Sequence, residues 1–193
     1  MAEAYDVRRY VEAWNQVLAV LADRGIATEE VQKTERDFAT AVQEGQPMVG
    51  AKFPRDSDSA QLVLLHLGGK LTIKTAQRLV SEIDGQRTLV VYQSTITPQA
   101  RVLLADTHVV ELVEEAEWLR LARPEGLQAV TMLENNEKTQ FLELFGITED
   151  MVPEEKEDSL LARYFGLLPG DIAKVTEMRE GRRFTTFRRI IGI

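Results

Sequence analysis

The sequence has no cysteine, only two histidines and no long apolar run. The absence of cysteine excludes disulfide bonds, thiolate nucleophiles and zinc sites built on cysteine ligands. No stretch reaches the roughly 18 apolar residues of a membrane helix, and the first residues lack the basic and apolar parts of a secretory signal. These absences predict an intracellular protein that does not span a membrane.

Patterns typical of catalysis are also scarce. His66 lies inside an apolar run and His108 lies just before another, and neither has neighbours that would make it a base beside a nucleophile. Gly68-Gly69-Lys70 lacks the flanking glycine and the Ser or Thr of a phosphate-binding loop, and no carboxylate pair precedes Lys70 as in a metal-dependent nuclease. We interpret both histidines as structural and expect no catalytic residue, no metal site and no cofactor.

The charge of the chain is unevenly distributed. Its 193 residues are 44% apolar and 28% charged, which is typical of a globular protein with one or two domains. The net charge is −8, yet residues 159–193 contain seven basic and three acidic side chains, whereas residues 1–158 contain 16 basic and 28 acidic ones. Because DNA affinity depends on neutralising phosphates, such an acidic chain would bind DNA weakly alone. The pattern favours a protein partner.

Hydrophobic periodicity predicts that strands and helices alternate in the first part of the chain. Apolar residues recur at helical spacing over 7–21, and Gly25 would end that helix. Thr28 is expected to cap a second helix that buries Phe38, and residues 46–59, with their Pro, Gly, Ser and Asp, are expected to form a loop. The other predicted elements are strands at 62–67, 88–92 and 109–113, and helices at 76–83, from Thr97-Pro98 and at 114–120.

The last third of the chain predicts a smaller mixture of strands and helices. The predicted strands are 127–132, 172–178 and 183–191. Asn135 or Asn136 is expected to cap a helix and Ser159 a shorter one, with residues 154–158 as a solvated connector. The apolar residues expected to face inward from these helices are Phe141, Leu142, Phe145, Leu160, Leu161, Tyr164 and Phe165.

A domain boundary is indicated at Arg123-Pro124-Glu125-Gly126, and we place it near residue 120. The predicted domains are therefore 1–119 and 120–193. The fold class is α+β, with an α/β-like first domain of helices and a small mixed sheet, and a small mixed second domain.

Arginines crowd the predicted C-terminal hairpin, with Arg179, Arg182, Arg183, Arg188 and Arg189 inside eleven residues. Charge of this kind guards an edge strand against aggregation. Alternatively, the planar guanidinium groups bind carboxylates or carbonyl oxygens of a partner protein. Composition alone leaves both interpretations open.

Several segments resemble one known family. In the C-terminal part they are Ala162-Arg163-Tyr164-Phe165-Gly166-Leu167, then Pro169-Gly170-Asp171, and Gly181-Arg182-Arg183-Phe184-Thr185-Thr186-Phe187-Arg188. In the N-terminal part they are Asp23-Arg24-Gly25, Val91-Tyr92-Gln93 and Ile96-Thr97-Pro98-Gln99-Ala100. In this order over nearly the whole chain, they resemble the fifth subunit of eukaryotic-type DNA-dependent RNA polymerases, whose C-terminal domain is similar to a small subunit of the archaeal RNA polymerases.

The resemblance implies a non-catalytic subunit with an N-terminal jaw domain beside downstream duplex DNA and a C-terminal assembly domain that docks on the largest polymerase subunit. Other polymerase subunits are further implied partners, whereas a membrane, a small-molecule substrate and a cofactor are not. The DNA-proximal residues implied are Thr97, Gln99 and Arg101. The partner-binding residues proposed beside them are Arg163, Arg182, Arg183 and Arg188.

The chain departs from the family pattern at several positions. Residues 125–131 have neither of the histidines nor the proline that the family has there, Ser159-Leu160 replaces an Asp-Pro, and Gln99 replaces a serine. Such divergence fits a virus-encoded or protist polymerase better than an animal or yeast one. The implied location is the nucleus for a cellular protein, and the virion, viral factory or cytoplasm for a viral one.

Two other functions stay open on the sequence alone. The family's N-terminal domain resembles restriction-nuclease folds, so an inactive or altered nuclease-like DNA-binding protein is one alternative, although metal ligands are missing. A free-standing interaction adaptor with the same fold is the other.

Overall fold

The computed structural model describes residues 2–29, 31–46, 48–56, 59–83, 85–93, 95–107 and 109–192. The chain divides into two compact units, Met1–Leu121 and Ala122–Ile193. Each unit combines helices with a four-stranded mixed sheet, which confirms the predicted α+β class. No described helix is both long and apolar enough to cross a membrane.

The first unit is built on a sheet with the strand order β1-β2-β3-β4. Its strands are β1 (Met48–Asp56), β2 (Ser59–His66), β3 (Thr88–Tyr92) and β4 (Val110–Glu114). Its helices are α1 (Ala2–Asp23), α2 (Glu35–Gln43), α3 (Ile73–Ile83), α4 (Pro98–Ala105) and α5 (Glu115–Trp118). β1 is antiparallel to β2, whereas β2, β3 and β4 are parallel and are joined through α3 and α4.

Helices cover both faces of this sheet. α3 and α4 pack on alternate residues of β2 and β3, since successive residues of a strand point to opposite faces. The resulting core cluster is Leu62, Leu64, Leu71, Ala76, Leu79, Ile83, Val90, Tyr92, Ala100 and Leu104. On the other face, Trp14 of α1 lies next to Phe38 and Phe53, with ring centroids 6.3 and 6.1 Å away.

A buried ion pair joins the end of α1 to β4. Arg24 donates two hydrogen bonds of 2.8 Å to the carboxylate of Glu111, and the two side chains are only 6% and 12% exposed. The Arg24 guanidinium also lies 5.9 Å from the ring centroid of Trp118. Because both charges are largely removed from water, each depends on the other for compensation.

The region predicted as a loop at 46–59 is instead largely strand, and that prediction was wrong. It rested on the Pro, Gly, Ser and Asp residues of this region, among them Gly50 and Pro54, which usually interrupt regular structure. β1 is the edge strand of its sheet, however, and an edge strand tolerates proline because one side of its backbone has no neighbour.

The second helix begins later than predicted. Thr34, not Thr28, is its N-cap, and the backbone N–H of Thr34 donates a 2.7 Å hydrogen bond to the carboxylate of Asp37. This reciprocal capping box satisfies helix-end donors that Thr28 could not reach. The predicted burial of Phe38 is confirmed, since its side chain is fully buried.

We expect Gly50→Ala to destabilise the first unit. A Cβ atom at Gly50 would lie 2.5 Å from Leu64 Cδ2 and 2.7 Å from the backbone oxygen of Val63. The strand oxygen cannot move without disturbing the β1–β2 ladder, so the expected cost is about 1–3 kcal/mol in the free energy of unfolding. Urea unfolding followed by far-UV circular dichroism measures it.

Gly192→Ala is the matched control, because its Cβ would meet only Pro169 Cγ at 3.8 Å, an ordinary contact. Its expected effect is within about 0.5 kcal/mol. Equal unfolding midpoints for the two variants would contradict the predicted close packing at Gly50.

The second unit contains a sheet with the order β5-β7-β8-β6. Its strands are β5 (Leu127–Met132), β6 (Glu154–Lys156), β7 (Ile172–Arg179) and β8 (Arg182–Ile191). Its helices are α6 (Asn135–Phe145), a 3₁₀ turn (Glu149–Met151) and α7 (Leu160–Phe165). β7 is antiparallel to both β5 and β8, and β6 runs parallel to β8.

The two faces of the second sheet differ in what covers them. Phe141 of α6 packs on Phe187 of β8, with ring centroids 4.2 Å apart. Leu161 of α7 lines a cleft together with Val175 and Arg188. Because side chains alternate along a strand, Val175 and Arg188 lie on the face of the sheet opposite to Phe187. α6 and α7 therefore lie on opposite sides.

Several details of this unit correct the predictions. The N-cap of α6 is Glu134, through a capping box with Glu137, and not Asn135 or Asn136. Residues 154–158 are not only a connector, because β6 occupies part of them. Phe145 and Leu160, expected to be buried, are 59% and 51% exposed, because helical spacing identifies apolar positions but not how much of each side chain the rest of the chain covers.

The Ser159 cap is confirmed, since its hydroxyl oxygen accepts a 3.1 Å hydrogen bond from the Ala162 N–H. Gly166, with φ of 62°, then ends α7 in the left-handed conformation. Ala162, Tyr164 and Phe165 are buried as this short helix packs against its unit.

Candidate functional site

The first candidate surface lies at the start of α4. Thr97 is the N-cap, and its hydroxyl oxygen accepts a 3.3 Å hydrogen bond from the Ala100 N–H. Pro98 occupies the first helical position, which confirms the predicted helix start. Since the capping hydroxyl acts as an acceptor, its own proton can still be donated to an anion. Gln99 is exposed in the same turn.

Arg101 lies one helical turn after Thr97, and its side chain is exposed. One guanidinium nitrogen donates a 3.1 Å hydrogen bond to the hydroxyl oxygen of Tyr92, the last residue of β3. This bond holds the guanidinium near the carboxyl end of the strand. Arg101 has further N–H donors in a planar fork, which suits a phosphate or a carboxylate.

The structure adds two lysines to this surface. The Leu71 N–H donates to the Thr95 oxygen at 2.8 Å, and the Thr97 N–H donates to the Leu71 oxygen at 3.0 Å. The segments that enter α3 and α4 therefore run side by side. Lys70 and Lys74, at the entry and first turn of α3, are exposed.

We call Lys70, Lys74, Thr97 and Arg101 the basic edge. On the sequence, Lys70 was considered only for a phosphate-binding loop or a metal-dependent nuclease site, and Lys74 was not singled out. A usable signal was the charge of residues 66–101, which hold five basic and two acidic side chains in a chain of net charge −8.

The basic edge has the geometry of an anion-binding surface. It lies where the parallel strands β2 and β3 end and α3 and α4 begin, so the partial positive charge of two helix starts adds to the basic side chains. Such groups can hold backbone phosphates, which positions a duplex without reading its sequence.

His66 is buried in the first unit. Its side chain is 4% exposed, and its Nδ1 has no hydrogen-bond partner. Burial lowers the pKa of His66, because desolvation disfavours the imidazolium. His108 lies outside the described residues. Among those that the structure describes, no group of three or more His, Cys, Asp or Glu side chains could hold a metal ion.

The second candidate surface is the β7–β8 hairpin. Strand alternation places Arg182 and Arg188 on one face of the sheet and Arg183 on the other, so the three cannot form one flat surface. Within the described part of the chain, none of their guanidinium groups forms a hydrogen bond or an ion pair.

The other arginines considered for partner binding already have contacts within the chain. Arg179 pairs with Glu177 at 2.6 Å and Arg189 with Glu154 at 2.5 Å. Arg163 of α7 is half-buried and also has an interaction within the structure. Arg182 and Arg188 are therefore the arginines of one face that are best placed to bind a partner.

Arg188 lines a cleft of about 380 Å³ in the second unit. Leu161 and Val175 supply apolar walls, while Glu155 and Glu177 supply carboxylates. A cleft with apolar walls and both signs of charge in its lining fits a protein side chain better than a phosphate backbone.

Comparisons with known proteins show which chains are similar to this one. No protein-family profile matches the chain. It is 26% identical to the Dictyostelium discoideum protein named DNA-directed RNA polymerases I, II, and III subunit rpabc1, over 95% of this chain and 98% of that protein. It is 25% identical to Arabidopsis thaliana DNA-directed RNA polymerase V subunit 5A, over 89% and 83% of the two chains.

A Caenorhabditis elegans protein with the same name as the Dictyostelium one is 25% identical over 63% of this chain and 62% of its own length. The similarity thus extends across both units, at low identity, to proteins named as polymerase subunits from distant organisms. These matches confirm the resemblance seen in the sequence and support a divergent fifth-subunit-like protein.

Proposed function

We propose that this chain is a non-catalytic subunit of a multisubunit DNA-dependent RNA polymerase. Its N-terminal unit forms part of the jaw near downstream duplex DNA, and its C-terminal unit docks on the largest subunit. The strongest support is the similarity over 95% of the chain to a protein named as shared by polymerases I, II and III. A cellular polymerase would place the chain in the nucleus, and a viral one in the virion, viral factory or cytoplasm.

The basic edge supports the DNA-proximal role. The basic edge has only a few positively charged side chains in a chain that is acidic as a whole. The free protein would therefore not bind DNA strongly through them. Within a polymerase whose other subunits hold the duplex, the same groups would add a few phosphate contacts. This explains how a chain of net charge −8 can lie beside DNA.

We expect Lys70→Glu together with Arg101→Glu to weaken the hold of the assembled polymerase on downstream duplex. Losing about two phosphate contacts should reduce the slope of log affinity against log salt by about 2. Fluorescence anisotropy with a labelled duplex, repeated at several salt concentrations, measures both the affinity and the slope.

The matched control is Lys33→Glu with Arg36→Glu. It makes the same change in net charge just before and within α2, on the opposite side of the first sheet. Equal losses for the two double variants would mean that general charge, and not the basic edge, sets the effect.

Affinity purification tests the function as a whole. The tagged chain is recovered from its native source, its partners are identified by mass spectrometry, and the eluate is assayed for nonspecific RNA synthesis. Stoichiometric recovery of the two large catalytic subunits together with RNA synthesis would support the proposal.

Recovery without the catalytic subunits would overturn it and favour a free-standing adaptor. Divalent-metal-dependent cleavage of DNA by the purified chain alone would instead favour the nuclease-like alternative. The identity of the large subunits would also show which polymerase, or how many of them, contain the chain.

A further inference from the structure

An apolar patch on α6 and the 3₁₀ turn after it is exposed in the second unit. Leu144 is 80% exposed, Phe145 59% and Met151 64%. Phe141 links the patch to the sheet, because its ring lies 5.1 Å from Phe145 and 4.2 Å from Phe187. We call Phe141, Leu144, Phe145 and Met151 the α6 patch.

The α6 patch is held in place by its surroundings. Lys138 of α6 donates to the Gly170 oxygen at 3.1 Å and pairs with Glu149 of the 3₁₀ turn at 2.8 Å. These contacts fix both the helix and the turn that carries Met151. Large apolar side chains that stay exposed on a fixed element mark an interaction site more often than isolated ones do.

Acidic side chains lie next to residues of the patch in the sequence, since Glu143 precedes Leu144 and Asp150 precedes Met151. Residues 134–151 contain five acidic residues and one basic residue, Lys138, whose charge Glu149 offsets. A hydrogen bond from Thr148 lowers the pKa of the Asp150 carboxyl, so this group stays ionised well into the acidic range. The apolar side chains of the patch are therefore flanked in the sequence by acidic ones, which we call its acidic border. Arg183 and Arg189 lie on the same side of the sheet, and Arg189, which is near Asp150, is itself paired with Glu154.

We propose that the α6 patch docks a segment of another protein that presents apolar side chains flanked by lysine or arginine. Charge complementarity selects this occupant, since a basic border on the partner would meet the acidic border of the patch. A second copy of this chain is disfavoured, because a two-fold contact would place the acidic borders against each other. DNA phosphates and acidic lipids carry the wrong charge.

This docking site is separate from the arginine surface. Phe187 and Arg188 are neighbours on β8, so their side chains point to opposite faces of the sheet. A protein with both surfaces could contact two segments at once, one basic and one acidic. The α6 patch belongs to the chain itself, whichever complex contains it.

The test uses the full chain and two fluorescein-labelled helical peptides of about 16 residues. Both have the same Leu and Phe positions at helical spacing, with Lys at the remaining positions in one and Glu in the other. Fluorescence anisotropy should show binding of the Lys peptide, with the Glu peptide weaker by about tenfold or more.

Leu144→Ser with Met151→Ser should weaken binding of the Lys peptide about tenfold or more without affecting folding, because both side chains are exposed. Glu143→Lys should weaken it as well. The control is Val102→Ser with Leu160→Ser, which removes two apolar groups that are 59% and 51% exposed elsewhere.

Binding that is unchanged in the patch variant, or that falls equally in the control, would overturn the proposal. Equal affinity for the Lys and Glu peptides would overturn it too, because the acidic border would then select nothing.

Discussion

Arg182→Glu combined with Arg188→Glu is expected to release the chain from the proposed polymerase complex. The two arginines lie on the same face of β8, and neither forms an ion pair within the described residues. An interface arginine commonly contributes about 2–4 kcal/mol, so reversing both should lower affinity by roughly a thousandfold or more. Quantitative co-purification with the largest subunit measures the loss.

The fold should survive this change, since no described contact of either guanidinium is lost. Arg188 lines the cleft with Glu155 and Glu177, however, so a glutamate there adds a third carboxylate. Arg182→Gln with Arg188→Gln separates lost contact from added repulsion, and circular dichroism checks folding. Association that persists in both double variants would show that docking uses another surface.

Arg183→Glu distinguishes the two faces of the hairpin. Its side chain lies on the α6 side of the sheet, opposite to Arg182 and Arg188. If Arg183→Glu reduces co-purification with the largest subunit only slightly, while Arg182→Glu with Arg188→Glu reduces it strongly, docking uses the face of the sheet that carries the cleft.

Arg24→Ala is expected to destabilise the first unit by about 3–5 kcal/mol, because it leaves the carboxylate of Glu111 buried without its partner. The Glu111 side chain is 12% exposed and so cannot recover full hydration. Trp118 would also lose the guanidinium above its ring. Both tryptophans of the chain lie in the first unit, so tryptophan fluorescence in urea reports this unfolding directly.

Arg78→Ala is the matched control, since it breaks the exposed Arg78–Glu82 pair in the same unit. Those side chains are 64% and 42% exposed, and such pairs contribute about 0.5 kcal/mol or less. Arg24→Met with Glu111→Leu should regain most of the stability, because both buried charges are then removed. Similar unfolding midpoints for Arg24→Ala and Arg78→Ala would contradict the importance of the buried pair.

Features with a local cause were predictable from the sequence. Thr97-Pro98 and Ser159 start helices through contacts within three residues, and the structure shows both caps. β3 and β5 were predicted at their observed bounds, since each is a run of suitable residues between turn signals. The resemblance to polymerase subunits was likewise visible in short segments and agrees with the comparisons.

Features that depend on distant partners were not predictable. β1 contains Pro54 and Gly50 and is a strand because β2 supplies its hydrogen-bond ladder. β6 has only charged side chains and is ordered by pairing with β8. The basic edge arises from contacts of Leu71 with residues 95–97, which no local pattern of Lys70 or Lys74 reveals.

The α6 patch escaped prediction for a related reason. Phe145 has the spacing of a buried residue, one turn after Phe141, and was expected to face inward. Burial needs an opposing surface that covers the whole side chain as well as a suitable helix face. The Phe145 ring lies 5.1 Å from Phe141 and 6.5 Å from Phe187, yet its side chain is 59% exposed. Hydrophobic periodicity identifies the apolar face of a helix. It does not show whether other residues of the same chain bury that face.

The turn between β7 and β8 has a consequence for how the second unit folds. Glu180 and Gly181 have φ values of 50° and 75°, as in the two-residue turns that join twisted strands. A hairpin joined so closely can form within about 1–10 μs, because little chain must be ordered first. β5 and β6 then add to its two edges from more distant parts of the sequence. The strand that presents Arg182 and Arg188 would thus be among the earliest structure formed, before any partner is met.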